Sequence, residues 1–295
     1  MRSENQDRAY ADDELGIFLV VDGLGGHAAG EKAAETAVES VIEEMAKEDG
    51  DPKERIRRAI TAANNRICEE AAANETWRGM ACVLTLALIS DDKVYVGHVG
   101  DSRLYLTWNG AIRKLTSDHS PVGEREDAGE LNEVEAMAHP RRHEVFRDVG
   151  SRPRVADEED FIEMKEFLFK PDAAILLCSD GLSDLLTAAE ILNVMERYDD
   201  DPEPVARELV EAANLAGGTD NITAIFVAGS EFLGNASPAA AEARARNAIT
   251  KAREDEAAAV GPGTVARALT TRVAFLLYGF VLGVVLALAL RWPKP

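Results

Sequence analysis

The sequence predicts an α/β sandwich in which helices bracket antiparallel sheets. Short apolar runs of strand length alternate with two long helical stretches, and beyond residue 80 four strand candidates follow one another with only tight turns between them. No strict strand-helix-strand repeat of a parallel sheet is present. Each element can be justified in order. GIFLVV at 16–21 is a continuous apolar run, as a fully buried strand requires. A glycine-rich turn follows, then an Ala/Glu/Val stretch at 31–47 with helical character. Asp51-Pro52 announces a second helix running to about Ala73, since Asp caps a helix start and Pro suits its first turn. The period then changes to that of strands at 81–89, 93–99, 103–108 and 111–115, separated by DD, GDS and NG turns and read together as a meander. Residues 117–160 are polar and highly charged, which predicts a surface excursion. Strand character returns at 161–168 and 173–178, two helices are expected over roughly 187–215, and 222–227 closes the domain as a strand.

The chain has 295 residues, of which 46% are hydrophobic and 29% charged, the balance of a folded globular protein with an appendage. Net charge is −21, yet residues 231–295 carry eight basic and five acidic side chains, so the first 230 residues hold a net −24. Such a body repels a phosphate backbone, and nucleic acid is excluded as a partner. Cys68, Cys82 and Cys178 are odd in number and widely spaced, a pattern of neither a disulfide framework nor a zinc knuckle. A reducing compartment is expected.

No signal-peptide pattern opens the sequence. Near the other end, VAFLLYGFVLGVVLALAL at 273–290 is uncharged over 18 residues and flanked by Arg272, Arg291 and Trp292. At about 1.5 Å per residue it is long enough to cross a bilayer, and its flanks suit interfacial anchoring. The expected organisation is therefore a catalytic body at 1–230, an Ala-rich charged linker at 231–272 and one C-terminal transmembrane helix at 273–290. Arginine and lysine fall evenly on both sides of the span, so a cytoplasmic body rests on the missing signal peptide and on cysteine usage.

Aspartates recur at the ends of apolar strands, beside glycine or in turns. Asp22 sits in VVDG, Asp101 in VGDS, Asp180 in CSDG and Asp220 in TDNI, with Asp7 ahead of the first expected strand. Asp-Gly favours turns, which accounts for any one of them. Brought together, they would repel one another by several kcal/mol at close range, and cations would be needed to offset it. An all-carboxylate donor set selects hard ions such as Mg²⁺ or Mn²⁺ over zinc.

Six segments in order, RSENQD at 2–7, VDGLGGHAAGE at 21–31, VGDSRLY at 99–105, LTSDHS at 115–120, CSDGLSD at 178–184 and GGTDNIT at 217–223, resemble the PP2C (PPM) family of metal-dependent protein serine/threonine phosphatases, in its bacterial form. The resemblance spans about residues 2–228. It implies a central antiparallel β-sandwich flanked by helices, with the active site at one end. It also implies two Mn²⁺ or Mg²⁺ ions, with a third in bacterial relatives, and phosphorylated proteins as partners. Asp22 would bridge the two main ions, the Gly23 carbonyl would bind one of them, and Asp180 and Asp220 would hold the second with help from Asp7. Asp101 matches the position for the additional ion. Water between the ions would attack phosphorus in line, with no covalent enzyme intermediate. Arg2 matches the phosphate-holding arginine, a role suited to a planar, permanent charge, although the family usually has a strand ahead of it. Leu24 stands where eukaryotic members carry a histidine. His27 either delivers a proton to the leaving alkoxide or shapes the start of the helix.

Two other catalytic readings fail on single residues. Gly25 and Gly30 have the spacing of a nucleotide-binding P-loop, but Glu31 stands where its lysine would be. Cysteine-based phosphatase chemistry needs an arginine six residues after the nucleophile, and Asn74, Leu88 and Asp184 occupy those positions. Asp118-His119-Ser120 is read as fixing a turn, and Pro140-Arg141-Arg142 as exposed, or as meeting substrate. The rival function is a membrane-tethered pseudophosphatase that only binds phosphoproteins. An anchored body further suggests a membrane serine/threonine kinase and its substrates as partners.

Overall fold

The computed structural model of this chain describes residues 5–25, 27–47 and 50–234, apart from the side chains of residues 27 and 28. Most of the expected linker and all of the expected span at 273–290 lie outside the described residues. Among the described residues, no helix is long and apolar enough to cross a membrane.

Two hairpin strands, β1 (Asp7–Asp12) and β2 (Ile17–Leu24), lead into two long helices, α1 (His27–Met45) and α2 (Pro52–Ala73). Four strands follow: β3 (Ala81–Ser90), β4 (Lys93–Val99), β5 (Arg103–Trp108) and β6 (Ala111–Lys114). The charged stretch folds two short helices, α3 (Pro121–Asp127) and α4 (Glu133–Met137). The domain finishes with β7 (Glu163–Leu168), β8 (Ala174–Cys178), α5 (Asp180–Ser183), α6 (Ala188–Met195), α7 (Pro202–Leu215) and β9 (Ala224–Ala228).

All strand pairs are antiparallel, in one sheet ordered β1-β2-β3-β4-β7 and another ordered β6-β5-β8-β9. Strands buried on both faces explain the unbroken apolar runs. On β2, Ile17, Leu19 and Val21 pack toward α1 and α2, while Phe18 and Val20 join the layer between the sheets. On β8, Ala174, Leu176 and Cys178 pack with α6 and α7, while Ile175 and Leu177 enter the same inter-sheet layer. The period of two thus distributes one strand over two cores. The helices follow the matching rule. Ile56, Ala59, Ile60, Ala63 and Ile67 recur along α2 at steps of three and four and are fully buried. Asp51 accepts from the Lys53 amide as the cap, with Pro52 in the first turn.

The structure corrects four expectations. Asp7 does not precede the first strand; it begins β1, whose sequence DRAYAD escapes notice because an edge strand with one wet face needs few apolar residues. Strand β2 runs on to Leu24, and α1 starts at His27, four residues before the expected helix. The four central strands are not one meander, since β4 belongs to the first sheet and β5 to the second, and the chain crosses between them at Gly100–Ser102. Residues 117–160 form more than a surface excursion. Asp118, His119, Ser120, Val122, Ala136 and Val149 are all buried.

Gly97 on β4 lets α2 lie flat on the sheet, because a Cβ there would come within 2.3 Å of Ile56 Cγ2 and 2.7 Å of Ile60 Cδ1. Replacing it by alanine overpacks that contact. Gly97→Ala is expected to cost about 1–3 kcal/mol, seen as a melting temperature lower by about 2–4 °C per kcal/mol in thermal denaturation.

Candidate active site

Antiparallel pairing alone carries the aspartates to one end of the sandwich. The start of β1 lies beside the end of β2, with Asp7 paired in register with Asp22. Strand β4 ends opposite the middle of β3, and Arg103 at the start of β5 pairs with Cys178 at the end of β8, so the Gly100–Ser102 crossing sits over Asp180. Ala224 at the start of β9 also pairs with Cys178, which brings the preceding Asp220 to the same end.

The carboxyl groups interact directly. Asp22 feels Asp180, Asp7 and Asp101, and its carboxyl is close enough to that of Asp180 to share a proton. Burial first, and then these like charges, push Asp22 well above the usual carboxylate range, and the same two causes raise Asp101. Burial likewise lifts Asp7 to about 6, against hydrogen bonds from Thr223 and Ser179 that favour its charged form, while Asp180 and Asp220 add to the rise.

The supporting residues hold this arrangement from several elements. Ser179 Oγ donates to Asp7 Oδ2 at 2.8 Å and accepts from the Thr223 amide at 3.1 Å, linking β1, β8 and the loop before β9. The Gln6 amide donates to Asn221 Oδ1 at 3.0 Å, and the Asn221 amide donates to Asp220 Oδ1 at 2.7 Å. Gly23 has no room for a side chain, since a Cβ would meet Gly30 O at 2.1 Å. Its amide donates to Gln6 O at 3.3 Å. Asp7 Oδ1 and Asp180 Oδ1 are buried without a hydrogen-bond partner among the described residues. Orphaned, buried carboxylate oxygens in a group of hard donors fit divalent cations, because only positive charge satisfies them all at once.

Asp184 and His143, which sequence reasoning did not assign to the site, close this end together with Arg142. Asp184, one helical turn after Asp180, faces the same way, and its pKa is raised to about 6 by burial and by Asp180. The i, i+4 spacing was the available signal. Arg142 Nε donates to Asp184 Oδ2 at 2.9 Å, and His143 Nδ1 lies 3.4 Å from Asp184 Oδ2 and 3.8 Å from Asp180 Oδ2. Asp180 raises the His143 pKa against the opposing effect of burial. Arg142 is thus docked on the site. A cleft of about 20 Å³ under it is lined by Asp101, Asp118, Asp180 and Asp184, room for one ion or water. Behind it, the buried Arg103–Asp118 pair at 2.7 Å, joined by Glu126, anchors the excursion to β5.

Arg2 lies outside the described residues, as does the side chain of His27, whose backbone begins α1. His98, His119 and Glu163 also approach one another, but both His98 nitrogens are already spent, on Thr85 Oγ1 and Gly100 O at 2.9 Å each. A larger cavity of about 470 Å³ opens at the far end of the sandwich beside Phe18, Tyr198 and Phe226, away from every aspartate of the cluster.

A two-sheet sandwich with buried carboxylates converging at one end defines a hydrolase that works with hard divalent cations. The sequence model of protein phosphatase 2C matches residues 2–216. The serine/threonine phosphatase stp of Listeria welshimeri is 32% identical over 222 residues, covering 73% of this chain and 85% of that protein. The serine/threonine protein phosphatase PstP of Mycobacterium tuberculosis is 31% identical over 228 residues, 76% of this chain and 42% of its own length. The crystal structure of the latter superposes with a TM-score of 0.69 at 28% identity, covering 78% of this chain and 94% of that one. A crystal structure of the catalytic domain of a serine/threonine protein phosphatase PstP in complex with two manganese ions gives 0.67 at 28% identity, over 77% and 92% of the two chains. This chain belongs to the protein phosphatase 2C family.

The raised carboxyl pKa values set a pH dependence for the metal-free protein. A group whose folded pKa lies above its unfolded value stabilises the fold fully below the unfolded value and loses that contribution as pH rises through the folded one. For Asp7 and Asp184 this window runs from 3.8 to about 6. The chelated protein should therefore melt at a lower temperature at pH 7 than at pH 5, and millimolar Mn²⁺ at pH 7 should reverse the loss. Calorimetric scans at the two pH values, with and without metal, measure both effects.

Proposed function

We propose that this chain hydrolyses phosphoserine and phosphothreonine in proteins with the aspartate cluster as its metal centre. The observation that carries this reading is the convergence of Asp7, Asp22, Asp101, Asp180 and Asp220 at one buried end, with the uncommitted oxygens of Asp7 and Asp180 among them. Asp22, the Gly23 carbonyl, Asp180, Asp220 and Asp7 would hold two Mn²⁺ or Mg²⁺ ions, and Asp101 with Asp180 a third. When bound, the ions would supply an acidified water and positive charge facing the phosphoryl oxygens.

The chain's own residues do the rest. Ser179 fixes one Asp7 oxygen and so aims the other into the cluster. Burial keeps the local dielectric low, so charge placed there acts strongly. Arg2, two residues from the start of the sequence and five before Asp7, is assigned to the phosphate oxygens, a forked cation for a tetrahedral anion. His27 is assigned to proton delivery. Thiol attack is closed off, because burial raises Cys178 to about 12 and raises Cys82 as well. A binding-only pseudophosphatase has no use for a full set of converging, mutually repelling carboxylates, and that reading is set aside.

We also infer the chain's organisation: a catalytic body at 1–230, a linker at 231–272 and a membrane anchor at 273–290 with the body on the cytoplasmic side. An anchored phosphatase would act on phosphoproteins at the membrane, a serine/threonine kinase and its substrates being the natural class. Deleting 273–295 should move the protein from the membrane pellet to the soluble fraction, and an unchanged distribution would remove the anchor.

The reaction is tested by phosphate release from a phosphothreonine peptide. Activity should require Mn²⁺ or Mg²⁺, and Asp22→Asn should lower kcat by at least a hundredfold. Equal, metal-independent rates from both proteins would reject the phosphatase reading.

A further inference from the structure

The turn that carries Asp101 is held by one residue from the charged excursion. Gly100 has φ +111°, and a Cβ there would sit 2.1 Å from Val83 Cγ1, so the crossing between the sheets can take only glycine. Such a turn has little stiffness of its own. Its rigidity comes from His119. The Gly100 amide donates to His119 Nδ1 at 2.9 Å, and the His119 amide donates to Gly100 O at 2.7 Å. His98 Nε2 meets the same carbonyl at 2.9 Å. Gly100, the residue just before Asp101, is therefore clamped through both of its backbone polar groups, the amide and the carbonyl.

The ring has no freedom to leave. His119 is buried, stacks on His98 with centroids 4.9 Å apart and lies 6.3 Å from the Phe146 ring. Nδ1 faces the Gly100 amide, and on the other edge of the ring Arg147 Nη1 lies 2.9 Å from Nε2. The return limb of the excursion is then tied by backbone, with the Phe146 amide donating to His119 O at 3.0 Å.

We propose that His119 is a positioning residue for Asp101: by accepting from the Gly100 amide, it fixes the Asp101 carboxylate for the additional cation. The inference rests on the metal-centre reading above and goes beyond it, since His119 touches neither cation nor substrate. A flexible Gly100 would let the Asp101 carboxylate sample several directions, and a ligand that must be ordered on binding holds its ion more weakly.

The test is calorimetric titration of Mn²⁺ into the full chain, which separates tight from weak sites without reference to turnover. His119→Asn places an acceptor oxygen near the position of Nδ1, whereas His119→Gln keeps a polar side chain of similar volume but carries its amide too far out to meet Gly100. Both disturb the same buried space, so their difference reads the clamp. His119→Gln should weaken the weakest Mn²⁺ site about tenfold, the usual effect of one lost hydrogen bond. His119→Asn should stay within about threefold of the wild type, and neither variant should move the tighter sites. Equal weakening in both variants, or none in either, overturns the assignment. Wild-type protein that binds no Mn²⁺ at all would instead reject the metal-centre reading on which the inference depends. Should His119→Gln fail to fold, His119→Ala takes its place in the comparison with His119→Asn, with the same weakening expected and the same results overturning the assignment.

Discussion

Carboxylates that repel one another are held at one end of this sandwich, and the rest of the structure is arranged around that constraint. The charge of Asp180 raises the pKa values of Asp7, Asp22 and Asp101 beyond what burial alone does. A chain cannot keep such a group together by local structure, because each aspartate comes from a different element. Two sheets packed face to face can. Their strand ends are positioned by ladders of backbone hydrogen bonds and by the apolar layer of Phe18, Val20, Leu104, Ile175 and Leu177 between them. The energy that opposes the cluster is spread over that whole core.

The charged excursion belongs to the same arrangement. It is pinned by Arg103–Asp118 at its base and by Arg142–Asp184 over the site, and it sends His119 beneath the turn that carries Asp101. Burial would raise Asp118, yet Arg103 and Lys114 outweigh it and keep the carboxylate ionised. A buried ion pair of this kind adds little net stability, but breaking it leaves an uncompensated charge. It fixes where the excursion starts. The clustered aspartates and their supporting residues thus lie on one continuous network, which runs from β1 through Ser179 and Asp180 to the excursion.

The sequence was legible where side-chain period and turn chemistry agree. Asp51-Pro52 marked α2 to the residue, and the strands β3 to β6 were found within about a residue because DD, GDS and NG interrupt plain apolar runs. Strand β1 was missed because DRAYAD shows one wet face, and the split of the four strands between sheets was missed because a tight turn reads alike whether it joins neighbours or crosses layers. Among the site residues, Asp22, Asp180 and Asp220 stood out because a carboxylate beside a buried strand is costly. Ser179, Asn221, Arg142 and His143 gave no such signal, since polar residues in loops are ordinary.

By itself the sequence determined most element types, the donor chemistry and the family, because hydrophobic period, turn residues and an all-carboxylate set are local properties of the chain. Only the tertiary structure decided which carboxylates meet, that Asp184 and Arg142 close the site, and that His119 braces the Asp101 turn. The contacts at this site join residues up to 215 positions apart, as Gln6 and Asn221 are. No local interaction encodes them; they exist because strand pairing and sheet packing return distant segments to one end of the molecule.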